Sequence, residues 1–155
     1  MAKDSSGERV LVTNRKAFHA YIILERFEAG VSLTGTEVKS IRDGGLNFRD
    51  AFVEMRTGEA FLVDCHIAPY SHGNVLNHDS GRDRKLLLHA TELRKLATKV
   101  SERGQTIVPL RAYLKNGRVK IEIGLARGKR LHDKREAIKR RDIERDTRQE
   151  MRRRR

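Results

Sequence analysis

The chain has one cysteine, Cys65, so no intramolecular disulfide can form. No apolar run approaches the roughly 20 residues needed to cross a bilayer. The first ten residues, MAKDSSGERV, lack the apolar core of a signal peptide. These absences lead us to expect a soluble, cytoplasmic protein. Patterns for catalysis are missing as well, since neither a G-x-x-x-x-G-K-[ST] loop nor a G-x-G-x-x-G turn occurs. Carboxylates such as Glu25 and Glu28 alternate with basic residues rather than pairing in an apolar setting. His66, His72 and His78 fall near Asp64, Cys65 and Asp79, which invites a metal reading. Zinc ligands, however, come in tight pairs, and spacings of six do not supply them. Cys65, inside FLVDCHI, reads as a small buried hydrophobe. We therefore expect no enzyme, no metal and no cofactor.

What the chain has is positive charge, unevenly placed. Of its net +13, +7 falls in residues 128–155, where 13 Lys and Arg face 6 Asp and Glu. A basic body with a more basic tail points to a polyanion, most commonly nucleic acid. An anionic membrane is the competitor, but the tail has no Trp or Phe and only a sparse apolar face.

Between these extremes the sequence reads mainly as strands. Residues 1–8 are polar and expected to be flexible. VLVT and HAYIILERFEAGVSL are strand-like, with Gly30 marking a bulge or bend. GTEVKSIRDGG has Val38 and Ile41 three apart and a Gly-Gly stop, which gives a short helix. AFVEMRTGEAFLVDCHI reads as a hairpin around Thr57-Gly58, followed by a polar loop over residues 70–84. Leu93, Leu96, Ala97 and Val100 set a helix over 91–103. TIVPLRAYLKNGRVKIEIGLA is the clearest hairpin, with Asn116-Gly117 as a type I′ turn. The fold class that follows is mainly β. We expect a small antiparallel OB-like barrel over residues 9–127, with two or three short helices. Residues 128–155 form a basic tail, expected to be disordered when free because its thin apolar stripe cannot offset the entropy of ordering.

Three basic clusters are candidates for phosphate contacts. Lys39 and Arg42 share one face of the first helix. Arg82, Arg84 and Lys85 crowd the end of the polar loop. The tail, GKRLHDKREAIKRRDIERD, is the third.

Together FEAGVSLTGTEVKSIRDGGLNFRDAF, the NHD…R-x-RKLLLH segment, TIVPLRAYLKNGRVKIEIGLARGK and HDKREAIKRRDIERD resemble the SsrA-binding protein family, also called small protein B, over roughly residues 8–146. The resemblance implies a monomeric partner of transfer-messenger RNA that rescues stalled ribosomes in trans-translation. It implies that the tRNA-like domain of that RNA docks on the barrel at Glu28, Leu87 and His89, and the basic clusters add Lys39, Arg42, Arg84 and Lys85 as candidate contacts on that surface. It also implies that the tail becomes helical in the empty mRNA channel, against small-subunit rRNA near the decoding centre. Gly128 would be the hinge, and Lys129, Arg130, His132, Asp133, Lys134 and Arg135 would follow it. The family commonly has Pro after NHD where this chain has Ser80-Gly81, which leads us to expect a more flexible loop. A ribosomal or ribosome-assembly protein that binds rRNA is the alternative.

Overall fold

The computed structural model describes residues 7–72, 77–102, 104–129 and 131–154, the backbone alone for 131–137. Nine strands and four helices follow one another in these residues: β1 (Glu8–Thr13), α1 (Arg15–Ala20), β2 (Tyr21–Val31), α2 (Gly35–Arg42), β3 (Leu46–Asn47), β4 (Phe52–Arg56), β5 (Glu59–Val63), β6 (His66–Ile67), β7 (Arg84–Leu87), α3 (Ala90–Val100), β8 (Gln105–Lys115), β9 (Arg118–Gly128) and α4 (Leu131–Arg153). Glu8, placed by the sequence in the flexible N-terminus, is the first residue of β1.

The large sheet runs β1-β8-β4-β5-β7-β2-β9, and β9 also pairs with β8. That second pairing closes the strands from β8 round to β9 into an antiparallel barrel, as expected. β8 serves three neighbours because it bends. Its register with β9 shifts between Pro109 and Arg111. On its other edge, Ile107 pairs with β4, and residues 111–115 pair with β1. Proline has no N–H to give a ladder, so a bulge is where a strand accommodates one.

Both turns read from the sequence are present. Thr57 and Gly58 have φ of 50° and 78°, and Asn116 and Gly117 have 51° and 75°. Left-handed backbone at both central positions is what a two-residue hairpin turn matching strand twist requires. In β9, Val119, Ile121 and Ile123 are buried and Arg118 is exposed as expected, whereas Glu122, read as an outward residue, is buried between Arg26 and Arg111. Inside the barrel the apolar side chains of β9 join Phe27, Leu62, Leu86, Leu96 and Ile107 in one core. A second small core, of Ala17, Val108, Leu110 and Ala126, lies under α1.

Several elements differ from the expectation. α1 interrupts what read as a run of strand. The cause is Asn14, whose side-chain oxygen accepts the N–H of Ala17 and whose amide donates to the Pro109 carbonyl at 2.8 Å. β7 emerges from KLLLH and fills the gap between β5 and β2. α3 spans Ala90–Val100, shorter than the 91–103 read from its periodicity. The bulge in β2 falls between Ile23 and Glu25, and Gly30 is paired in register. The packing at Gly30 is close for another reason: a Cβ there would stand 3.3 Å from the Leu87 Cβ, and Leu87 would have to give by a few tenths of an ångström.

Within the tail, Leu131–Arg153 form a 23-residue helix, α4. Its residues 138–154 are all exposed, including Ile138, Ile143 and Met151. The pairs that brace it are local, Asp142–Arg145 and Glu150–Arg154, each at 3.0 Å. A helical charge pattern is thus satisfied within α4, with no buried face beneath its described side chains. Among the described residues, no helix is long and apolar enough to cross a membrane.

Candidate nucleic-acid interface

Strand alternation decides which of the RKLL side chains can meet a partner. Arg84 and Leu86 point inward and are buried, whereas Lys85 and Leu87 point outward, with Leu87 53% exposed. Gly30 pairs with Leu87 on one side and with Lys120 on the other. The missing side chain at Gly30 therefore leaves a floor between an apolar wall and a cation. Val31, Leu33, Val38, Gly117 and Arg118 complete an open groove of about 300 Å³. Arg42 reaches this groove from α2, donating to the Gly117 carbonyl at 3.0 Å. A flat apolar floor rimmed by Arg and Lys suits an unstacked base and its phosphates.

Glu28 lies two residues before Gly30 on β2. Its carboxylate accepts the Tyr113 hydroxyl in a short hydrogen bond and Lys115 Nζ at 3.2 Å. The Tyr113 hydrogen bond, with Lys115 and Lys120 adding to it, holds the carboxyl below the ordinary carboxylate range. Arg26, two residues before Glu28 on β2, pairs with Glu122 at 3.1 Å. Lys85 projects on the outer side of β7 and pairs with Glu59 at 3.0 Å. His89 is exposed just beyond β7, at the N-cap of α3, where its N–H donates to Glu92. The Lys39 ammonium sits 5.6 Å from the centre of the Tyr70 ring.

Arg84 is the clear correction. It is 0% exposed, and all five of its donors are used. Nε donates to Glu37 at 2.5 Å, and the two terminal nitrogens donate to the carbonyls of Cys65, Arg82, Asp79 and Ser80. It cannot reach a phosphate. Glu37, also fully buried, accepts Arg82 and the Thr34 N–H as well. Burial alone would raise its pKa, but hydrogen bonds from Arg82, Thr34 and Arg84 outweigh that and hold it low. The pair fastens α2 to the segment leading into β7.

The same segment is well tied despite Ser80-Gly81. Asn77 bonds both the N–H and the carbonyl of Tyr70. The His78 Nε2–H donates to the Ile67 carbonyl at 3.0 Å, and its Nδ1 accepts the Thr36 hydroxyl at 2.9 Å. With both ring nitrogens engaged, His78 is no metal ligand. Among the described residues, no group of three or more His, Cys, Asp or Glu could hold a metal ion. Cys65 is buried, and burial pushes its thiol up to about 12.

At the exit to the tail, Gly128 is still strand, paired with Tyr21. Lys129 is also fastened, its N–H to the Ala20 carbonyl at 2.9 Å and its Nζ to the Phe18 carbonyl at 3.2 Å. The chain therefore leaves the barrel after Lys129, and Gly128 is no hinge in this structure. Arg130 lies outside the described residues. His132, Asp133, Lys134 and Arg135 lie in the first turns of α4, and their side chains are outside the described residues. Reading the sequence missed Gly30, Tyr113, Lys115, Arg118 and Lys120 as parts of this surface. The alternation of Arg118 and Lys120 with Val119 and Ile121 was the available signal.

A family model described as SmpB protein matches residues 11–153. The chain is 52% identical over 149 residues to an SsrA-binding protein of Oleidesulfovibrio alaskensis, covering 96% of each chain. It is 55% identical over 140 residues to one from a Sulfurihydrogenibium species, covering 90% of this chain and 92% of the relative. Among solved structures, one described as "tmRNA-SmpB: a journey to the center of the bacterial ribosome" matches with a TM-score of 0.67 and 47% identity. That match covers 84% of this chain and 95% of the other.

Proposed function

The chain belongs to the SmpB protein family, and from that premise we propose that its two parts divide one task. The barrel binds the tRNA-like domain of transfer-messenger RNA, and the protein delivers that RNA to stalled ribosomes for trans-translation in the cytoplasm. The observation that carries the barrel's role is the row Leu87–Gly30–Lys120, an exposed leucine and a cation on either side of a bare glycine floor. Leu87 offers its side chain to an unstacked base, and Arg42, Arg118 and Lys120 meet the phosphates around it. Lys85 and His89 extend the surface along β7 and onto α3, with Lys39 at its margin. Glu28 accepts hydrogen bonds from base amino groups or ribose 2′-hydroxyls.

The tail does a different job. A helix with exposed apolar residues and no buried face is marginal alone, and surrounding rRNA phosphates supply what it lacks. In an mRNA channel emptied by truncation of the message, residues 130–155 lie along the small-subunit rRNA. There His132 stacks at the decoding centre, with Asp133, Lys134 and Arg135 beside it. A channel holding message excludes the helix sterically, so the tail senses an absent codon without reading sequence. The protein acts by placement as a monomer, and peptidyl transfer stays with the ribosome.

The test is a chain ending at Lys129, which keeps the whole of β9 and the Lys129 contacts to α1. It should bind transfer-messenger RNA with near-normal affinity and fail to support peptide tagging on stalled ribosomes. Loss of RNA binding by this truncation would overturn the division of labour.

A further inference from the structure

Glu28 stands directly across from Glu122 in the β2–β9 register. Two like charges so placed would repel, and each carboxylate is held by its own set of donors. Glu122 takes Arg26 at 3.1 Å and Arg111 at 2.7 Å. Glu28 takes Tyr113 and Lys115. Its two donors differ in kind. Lys115 is a flexible chain whose ammonium also sits 3.9 Å from Glu8. Tyr113 is 2% exposed, and the Arg111 guanidinium covers its ring at 4.7 Å from the centroid. Arg111 is itself held by Glu122 and Glu8. A phenol clamped in this way cannot follow the carboxylate, so the carboxylate's position is set by the phenol.

We propose that Tyr113 is a positioning residue for RNA recognition, pinning Oε2 of Glu28 so that Oε1 is presented as the acceptor for an RNA amino or hydroxyl donor. Oε1 has only a 3.4 Å contact with Lys115, whereas Oε2 carries both the phenol bond and the closer lysine contact. Burial and the neighbouring Glu28 push the phenol well above its ordinary range, so it stays a donor at neutral pH. The proposal rests on the reading of Glu28 as an RNA contact.

Full-length protein carrying Glu28→Gln, Tyr113→Phe or both is titrated with a transcript of the tRNA-like domain of transfer-messenger RNA at fixed salt. Tyr113→Phe removes one hydroxyl and leaves the ring under Arg111. It should weaken binding about tenfold, the size expected for a hydrogen bond to a charged group. The double variant should bind no more weakly than Glu28→Gln alone, because the two groups act as one unit. Losses that multiply would overturn the positioning role, as would normal binding by Tyr113→Phe beside a weakened Glu28→Gln. If Glu28→Gln itself binds normally, the RNA role of Glu28 falls, and this proposal falls with it. The unaltered protein gives an independent check that does not depend on a variant folding. An NMR titration of the Glu28 side-chain carboxyl should show a midpoint below the ordinary carboxylate value. An ordinary midpoint would remove the bond on which the proposal stands.

Discussion

Arg84 in β7 and Arg145 in α4 carry the same charge in opposite settings. Arg84 is fully buried and spends every donor on Glu37 and four carbonyls of its own fold. Arg145 has a side chain 68% exposed and one local partner, Asp142. The comparison extends to the regions around them. In the barrel, one buried cation, Arg84, fastens elements together, and Arg42, Arg118 and Lys120 rim a groove. In the tail, 13 Lys and Arg outnumber 6 Asp and Glu, and the side chains of residues 138–154 are exposed. Net charge alone therefore says little about which basic residues touch RNA. Burial and strand direction say more.

The largest expected effect breaks the comparison at its strongest point. Arg84→Ala would leave the buried Glu37 carboxylate with Arg82 as its remaining ion-pair partner and would empty the place of a fully buried side chain, which costs about 3 kcal/mol. Thermal unfolding should show a large drop, and Arg145→Ala should stay within about 0.5 kcal/mol of the parent. A mild Arg84→Ala would mean that water or Arg82 readily replaces the lost guanidinium.

A second substitution separates inward from outward residues on one strand. Leu87→Asp should leave stability nearly unchanged, because the side chain is exposed. It should weaken binding to the tRNA-like domain by about 1–3 kcal/mol, the range for losing one base platform. Leu86→Asp, at the neighbouring position of the same strand but facing the core, should instead prevent folding. Equal RNA affinity for Leu87→Asp and the parent would remove the groove from the interface.

Acid should separate the regions more gently. The Glu37 carboxyl is held below the ordinary carboxylate range in the folded protein by hydrogen bonds from Arg82, Thr34 and Arg84. The unfolded chain therefore takes up its proton first as pH falls. The stability from Glu37 is complete above about pH 4.5 and is lost as pH drops through its lower folded value. The chain ending at Lys129 should follow the same profile as the full-length protein in melting experiments across that window. A profile that changed on removing residues 130–155 would show that the tail shares in the barrel's acid sensitivity.

How much of this could be read from the sequence depended on the range of the interaction. Asn116-Gly117 and Thr57-Gly58 announced their turns because two adjacent residues carry the whole geometric requirement. The Val119, Ile121 and Ile123 alternation gave β9 for the same reason. The α1 helix depended on one cap, Asn14, whose other bond reaches the Pro109 carbonyl 95 residues away. Arg84 looked like a surface cation because its partner, Glu37, is 47 residues distant and the remaining acceptors are backbone. Tyr113 gave no local sign that it faces Glu28, 85 positions earlier. Gly30 was recognised as special, but its reason lies in Leu87 across the sheet.

The smallest predicted effect concerns α4 itself. Glu150 braces Arg154 at i,i+4 with side chains 66% and 79% exposed. Such a pair contributes about 0.3–0.5 kcal/mol to a helix and nothing to a fold on which the helix does not rest. Glu150→Gln should therefore lower the helical signal of the tail slightly, read as the circular dichroism difference between full-length and Lys129-terminated chains. The melting temperature of the barrel should not move. Adding single-stranded RNA should raise the tail's helicity, and raising salt should reverse the gain, since released counterions drive the association. A shift in barrel melting with Glu150→Gln would mean that α4 docks on the barrel in solution. Its exposed Ile138, Ile143 and Met151 would then have an intramolecular purpose, and the contrast between fastened and exposed cations would fail.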